Sequence, residues 1–285
     1  MRKRSPPLII THAHCLDGFT AAWAAWLAFD RRVRVFHAAH GGLPPRCAGQ
    51  VVYILDFAYP REFLIHMYQA ARFLKVLDHH ASAIPDIGDL PYVQIDTKRS
   101  GAGLAWDVLV QKPRPYLIDL IEHNDLWQWK GDWEKDAMAW LNLEPQTFTN
   151  WLELSTWSKA DWQALASDGR VLRQPFESDV QWHFDLRQRL SLNGVQGMAV
   201  EAPGHVRSEL GHRLALDSGT FGLTWQRTPH KVACSIRSVG MNVLPIAQQF
   251  GGGGHKTAAG FTLPLSVAAQ LLPGYETSAV PEGWA

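Results

Sequence analysis

The sequence predicts an α/β protein in two parts: an N-terminal domain built on a parallel sheet with helices on both faces, then a helical linker and a smaller α/β domain. Three observations predict it. Over the first third of the chain, short β-type apolar runs alternate with longer helical patterns, which is the rhythm of βαβ units. Runs such as Val51-Val52-Tyr53-Ile54-Leu55 are apolar at every position, as strands covered on both faces must be. After Asn193-Gly194 the pattern changes to strands with intervening helices, a second and shorter α/β region.

In order, strands are expected at residues 8–11, 33–37, 51–55, 73–77 and 92–95, separated by helical segments such as 18–29 and 61–71. A helical pattern from Ser100 runs to about Gln111, is broken by the prolines at 113 and 115, and resumes to Leu126. Residues 127 to about 180 carry seven tryptophans (127, 129, 133, 140, 151, 157 and 162) and read as helical. Indoles bury large areas, so this stripe is assigned to core rather than to chemistry. Residues 180–192 read as an amphipathic connecting helix, which sets the expected domains at 1–180, 181–193 and 194–285. In the second domain, 197–201, 220–226 and 231–237 read as strands and 208–215 and 242–250 as helices. A glycine loop at 251–254 and a strand-like stretch at 260–263 follow; no motif is visible after Pro264.

Bulk properties narrow the function classes. A chain of 285 residues with 46% hydrophobic content supports two cores at about 100–200 residues per domain. Lys plus Arg and Asp plus Glu are both 27, so no global field draws in polyanions or anionic membranes. Cys15, Cys47 and Cys234 are widely spaced and odd in number, which argues against a disulfide framework and for a reducing compartment. The apolar stretch at 8–10 is too short for a signal core, and no run approaches the ~20 apolar residues of a membrane span. A cytoplasmic location is expected.

Three predicted strands end in candidate chemistry: the first in His12 to Asp17, the third in Asp56, the fourth in Asp78-His79-His80. Open α/β sheets bind ligands beyond the carboxyl ends of their strands. Carboxylates and imidazoles converging there are the donors a divalent-metal centre for phosphate-ester hydrolysis needs. Taken singly, an Asp after a strand is more often a cap and a His more often a satisfied polar group. Their joint occurrence shifts the balance, above all the adjacent His79 and His80, which have no evident core role. Glu122, His123 and Asp125 close a later helical run.

These residues resemble the DHH phosphoesterases that carry a C-terminal DHHA1 domain, and within them the oligoribonuclease-like, short-oligonucleotide phosphodiesterases. Asp78-His79-His80 is the eponymous triplet. His12-Ala13-His14-Cys15-Leu16-Asp17-Gly18 is similar to the first motif, with Cys15 where many members carry Asp. Ile54-Leu55-Asp56-Phe57 is similar to the second, the stretch from Asp96 through Ser100-Gly101-Ala102-Gly103 to Trp106 to the segment after the triplet, and Glu122-His123-Asn124-Asp125-Leu126-Trp127 to the motif with a late Asp ligand. Order and spacing agree over most of residues 8 to 262.

The resemblance implies two divalent ions, Mn2+ first, with Mg2+, Co2+ and Zn2+ as alternatives. One would be held by His12, Asp56 and Cys15, the other by Asp17, Asp56, His79 and Asp125, with Asp56 bridging. Asp56, His79, His80 and Asp78 form the implied catalytic group: His80 contacts the substrate phosphate, and Asp78 holds an imidazole in one tautomer. Thiolate is softer than carboxylate and favours Zn2+-like ions, so a Cys15 that touches no metal stays open as a second reading. His14 reads as pocket-lining, and His37, His40 and His66 as ordinary residues.

In the second half, Gly251 to Gly254 followed by His255 costs chain entropy to order and suggests close backbone approach to a ligand. The stretch from Cys234 through Arg237 and Gly251 to Phe261 resembles the DHHA1 signature. That resemblance implies a phosphate or nucleotide held by Gly252, Gly253, Gly254 and His255, with Arg237 as a bidentate partner and Asn242 as a weaker one. Ser100 would bring a helix N-terminus to the same phosphate, or act simply as the helix cap. The implied activity is in-line attack on phosphorus by metal-activated hydroxide in short nucleotide substrates: linear dinucleotides, nanoRNA-length oligonucleotides or nucleotide bisphosphates. No long duplex and no membrane is expected as a partner, and a homodimer is left open. A pyrophosphatase or exopolyphosphatase, or a catalytically weak nucleotide sensor, are the alternatives.

Overall fold

The computed structural model describes residues 5–13, 15–39 and 41–275; His14 and His40 lie outside them. The chain divides into two compact units between Arg173 and Gln174.

The first unit holds five parallel strands, β1 (Leu8–His12), β2 (Arg34–Ala38), β3 (Val51–Leu55), β4 (Phe73–Asp78) and β5 (Val93–Ile95), in the order β2-β1-β3-β4-β5. Side chains alternate across a strand, and here both faces are dry. Ile9, Leu55 and Leu77 enter one core together with Trp23, Leu117 and Trp151, while Leu8, Ile10, Val52, Ile54, Leu74 and Val76 enter a second with Leu64 and Met67. Runs that are apolar at every position are thus accounted for.

The helices of this unit are α1 (Leu16–Ala28), α2 (Arg61–Ala70), α3 (Ile84–Ile87), α4 (Gly101–Ala105), α5 (Tyr116–Asp125), α6 (Asp132–Leu141) and α7 (Phe148–Leu154). Alanines 21, 22, 24 and 25 of α1 are fully buried in the same core as Ala102 and Ala105 of α4. Small side chains let the two helices approach closely, which brings the first turn of α1 against the start of α4. Residues Trp106–Val110 continue α4 as a π-helical turn. Of the tryptophans in the middle region, Trp151 and Trp162 are fully buried, and Trp151 Nε1 donates to Thr20 Oγ1 at 2.9 Å. Helix α8 (Lys159–Asp185) runs through Pro175 and across the division between the units.

The second unit contains β6 (Gln188–Leu192), β7 (Val195–Glu201), α9 (Arg207–Ser218), β8 (Phe221–Arg227), β9 (Lys231–Ser238), α10 (Leu244–Gln249), β10 (Gly253–Gly254), β11 (Ala258–Pro264) and α11 (Leu265–Leu271). Its sheet has the order β10-β11-β9-β8-β7-β6, antiparallel except for β7 beside β8, which α9 joins as a crossover.

One expected element is different. The connecting helix predicted for 180–192 ends at Asp185, and Gln188–Leu192 is a strand. Leu190 and Leu192 point inward with exposed Ser191 between them, a period of two. Asn193 (φ 51°) and Gly194 (φ 79°) form the turn of a β6–β7 hairpin, so the Asn-Gly pair sits inside the sheet rather than before it.

Candidate metal centre

The site is assembled at the carboxyl ends of β1, β3 and β4. Asp56 follows β3 with φ 54°, in the left-handed region that a non-glycine residue enters at a cost, and its N–H still donates to Leu77 O at 2.9 Å. The kink turns the carboxylate out of the strand. Oδ1 lies 3.0 Å from His79 Nε2, and Oδ2 accepts from Cys15 Sγ at 3.4 Å, so its two oxygens serve two different neighbours.

Asp17 sits in the first turn of α1, 3% exposed, and its carboxylate accepts from Gly101 N at 2.6 Å and Ala102 N at 2.9 Å. The start of α4 therefore holds this charge at the position where helix N–H groups favour it. Gly101 is required there: a Cβ would lie 2.3 Å from Asp56 Cβ and 2.8 Å from Asp17 Oδ2. Asp17 Oδ2 is 3.9 Å from His79 Nε2, and on the other side of the ring Asp125 Oδ2 is 3.6 Å from His79 Nδ1.

Ligand atoms of Asp17, Asp56 and His79 all lie within 4.8 Å of one another, in a group that could hold a metal ion. The electrostatics suit a cation. Burial, then the Asp56 and Asp125 charges, push Asp17 well above the usual carboxylate range, and burial pushes Asp125 up to about 6. Burial also works against a charged His79, but its hydrogen bond to Asp56 and the surrounding carboxylates outweigh it and hold the imidazole at about 10. The same partnership holds Asp56 below its ordinary range against the pull of burial. Three carboxylates thus crowd one imidazole, and Asp125 Oδ2 is a buried oxygen with no hydrogen bond among the described residues. Carboxylate oxygens and an imidazole nitrogen are donors that fit a divalent ion.

Cys15 is the N-cap of α1: its Sγ accepts from Gly18 N at 3.5 Å while touching Asp56. Burial first, and the Asp56 and Asp17 charges second, push its thiol far up, so a thiolate there requires a neighbouring cation. All three cysteines are free. His12 ends β1 with its ring stacked on Phe57 at 6.1 Å and is outside the Asp17, Asp56, His79 group.

Asp78 is a brace. Its Oδ1 accepts from His79 N at 2.8 Å, His80 N at 3.4 Å and His80 Nδ1 at 2.8 Å. His80 commits Nδ1 to Asp78, and its side chain is 37% exposed. Burial opposes charge on His80, but Asp78 prevails and raises its pKa.

Several expectations need correction. Ser100 is fully buried, and its Oγ accepts from Gly103 N at 3.1 Å; Ser100 N donates to Glu122 Oε2 at 3.0 Å, and the next two amides go to Asp17. With these N–H groups taken internally, Ser100 is a cap and does not offer a phosphate site. The glycine loop is likewise built into the sheet. Gly253 and Gly254 pair with β11, Gly252 N donates to Ala247 O at 2.9 Å, and His255 N donates to Ala258 O at 2.7 Å. A Cβ on Gly252 would meet Gly260 O at 2.1 Å, so close strand packing already explains a glycine there. The amides of Gly252 and His255 are therefore not free to line an anion-binding concavity. Arg237, on β9, donates to Ser235 Oγ at 3.0 Å, Ser208 Oγ at 2.9 Å and Ile236 O at 3.3 Å. Asn242 Oδ1 accepts from Leu244 N at the start of α10.

Sequence reasoning missed the network behind the centre. Arg114 forks onto Asp107 at 2.8 and 2.7 Å and donates to Glu122 Oε1 at 2.8 Å, so Glu122 links the arginine to the start of α4. Nothing in local spacing marks Arg114; its partners meet only in the folded unit. His123, two residues before Asp125, places Nδ1 2.9 Å from Glu134.

Comparison with known proteins bears on the fold. A structure described as the DHH domain of a member of the s1p family of ribosomal proteins is similar over 93% of this chain and 84% of its own, at 14% identity and a TM-score of 0.51. The fold is similar to that of this DHH domain. An exopolyphosphatase-related protein from Bacteroides fragilis is similar over 91% of this chain and 87% of its own, at 13% identity and a TM-score of 0.53. A curated relative, an uncharacterised protein of Acanthamoeba polyphaga mimivirus, is 24% identical over 89% of this chain; the alignment spans 66% of that relative's length. No protein-family model matches the chain. Among the described residues no helix is long and apolar enough to cross a membrane.

Proposed function

We propose that the chain is a divalent-metal-dependent hydrolase of phosphoric esters that acts on short nucleotide substrates. The observation that carries this reading is the buried group of Asp17, Asp56 and His79 at the strand ends, with Asp125 behind the imidazole. Mn2+ is the proposed ion, and Asp56, whose two oxygens meet different neighbours, would serve both sets of donors. Asp17, Asp56, His79 and Asp125 would hold one ion, and Asp56 with His12 and Cys15 the other. When bound, such ions supply positive charge that lowers the pKa of water and offsets charge on phosphoryl oxygens.

The chain's own groups supply the rest. Asp78 fixes the tautomer of His80 so that Nε2 is the atom turned toward substrate, where it donates to a phosphoryl oxygen. The Asp17 carboxylate stays oriented because two backbone amides grip it. Capture of the substrate is assigned to Arg237 and His255 in the second unit. The equal numbers of cationic and anionic residues favour short substrates, since a grip on long nucleic acid needs an extended basic track.

The test is a hydrolysis panel with purified protein and Mn2+: linear dinucleotides, oligoribonucleotides of increasing length, nucleotide bisphosphates, pyrophosphate and polyphosphate. The expected result is turnover that peaks at the shortest oligonucleotides and disappears in Asp56→Ala. Faster release from pyrophosphate or polyphosphate would replace this substrate class, and full activity in Asp56→Ala would end the metal-centre reading.

A further inference from the structure

Glu134, in the first turn of α6, is completely buried and yet carries three donors: Tyr116 Oη at 2.6 Å, His123 Nδ1 at 2.9 Å and Lys130 N at 2.7 Å. The first comes from the start of α5, the second from its last turn, and the third from the loop that leads into α6. A buried carboxylate is costly to desolvate, and the neighbouring buried positions Ala137, Met138 and Leu141 show that this helix face packs well with apolar groups. The charge therefore calls for a reason other than packing.

The two bonds nearest the centre bracket Asp125. His123 precedes it by two residues and Lys130 follows it by five. Between them the chain reverses tightly: Trp127 is in the left-handed region at φ 57°, and Gln128 N donates back to His123 O at 2.9 Å. Glu134 thus ties down both ends of the turn that carries Asp125, whose Oδ2 faces His79 Nδ1 at 3.6 Å. The other buried carboxylate of α6, Asp136, has a different task. It is bound by Arg173 at 2.9 Å and Arg170 at 3.4 Å and ties α6 to α8.

We propose that Glu134 is a positioning residue of the metal centre: through His123 and the Lys130 amide it fixes the end of α5, and with it the direction of the Asp125 carboxylate. The inference rests on the metal-binding reading above. It goes beyond that reading in assigning a role to a residue outside the ligand set.

The experiment is direct titration with Mn2+, reading free ion by electron paramagnetic resonance, alongside thermal unfolding, for the full chain and its variants. Glu134→Ala is expected to weaken Mn2+ binding by about 10- to 100-fold, the usual effect of removing a group that orients a ligand. Glu134→Gln, which keeps an acceptor oxygen, should recover part of the loss. Asp136→Asn should lower the unfolding temperature without weakening Mn2+ binding. If Glu134→Ala fails to fold, His123→Ala carries the test, because it frees the end of α5 while leaving the Tyr116 and Lys130 bonds in place; weaker Mn2+ binding is again expected. A Mn2+ dissociation constant within about twofold of the parent in folded Glu134→Ala, or in His123→Ala where it stands in, overturns the inference, whatever happens to stability. A parent protein that binds no Mn2+ overturns the metal-centre reading as well, so the two failures are told apart by the unsubstituted chain.

Discussion

Gly101→Ala is the sharpest probe of how the centre is built. The added Cβ would sit 2.3 Å from Asp56 Cβ, 2.7 Å from Asp56 Cγ and 2.8 Å from Asp17 Oδ2. The first of these atoms cannot swing away, because Asp56 is held in its left-handed conformation by the strand before it and by its N–H bond to Leu77 O. Either α4 withdraws from α1 or Asp17 gives up the amides of Gly101 and Ala102. Overpacking costs about 1–3 kcal/mol, and loss of a charge-assisted hydrogen bond about 1.5–3 kcal/mol, so a total of roughly 3–5 kcal/mol is expected. For a chain of this size that is on the order of 6–20 °C in unfolding temperature. The measurement is thermal unfolding with and without Mn2+, with Gly49→Ala as the control. Gly49 has φ 68° with no heavy atom within 4 Å of a Cβ, so only the backbone penalty of about 1 kcal/mol applies. A Gly101→Ala protein that melts within about 2 °C of the parent and binds Mn2+ as well would refute the close approach of α4 to the two carboxylates.

Three further outcomes are expected. Saturating Mn2+ should raise the unfolding temperature of the parent, by the equivalent of about 2.7 kcal/mol at a hundredfold excess over Kd, and should do nothing for Asp56→Asn; differential scanning fluorimetry reads both. Arg114→Met removes the fork on Asp107 and the bond to Glu122 but leaves Arg99 beside both, and is expected to cost about 1.5–3 kcal/mol by chemical denaturation, with Arg114→Lys recovering only part because an ammonium cannot make the planar double bond to Asp107. If Cys15 is a ligand, titration with Cd2+ should produce an ultraviolet sulfur-to-metal charge-transfer band that is lost in Cys15→Ser, while in Cys15→Asp the preference should move from Zn2+ toward Mn2+. No band in the parent would leave Cys15 as the helix cap alone.

Much of the first unit could be read in one dimension. Strands covered on both faces leave uninterrupted apolar runs, and the candidate donors sit where such runs stop, so the clustered Asp17, Asp56 and His79 could be picked out by position. Asp125 was visible as the end of a helical run. The hairpin at Asn193-Gly194 was also written locally, in Leu190-Ser191-Leu192, but its two-residue period competes with a helical pattern that continues from α8, and only pairing with β7 decides between them.

What the linear chain could not reveal is which groups satisfy one another. The amides at the start of α4 look like an anion site until Asp17, 84 residues away, is seen to occupy them. Glycines 252 to 254 look like a ligand cradle until β11 is seen to fill the space beside them. Arg114 and Glu134 carry no spacing signal at all, since a hydrogen-bond network depends on distances between elements that sequence order does not encode. Residue types and their periodicity determined the fold class and the donor set of the candidate centre. The tertiary structure decided which donors remain for an ion and which the protein keeps for itself, because a buried polar group must find a partner and only packing determines which partner is near.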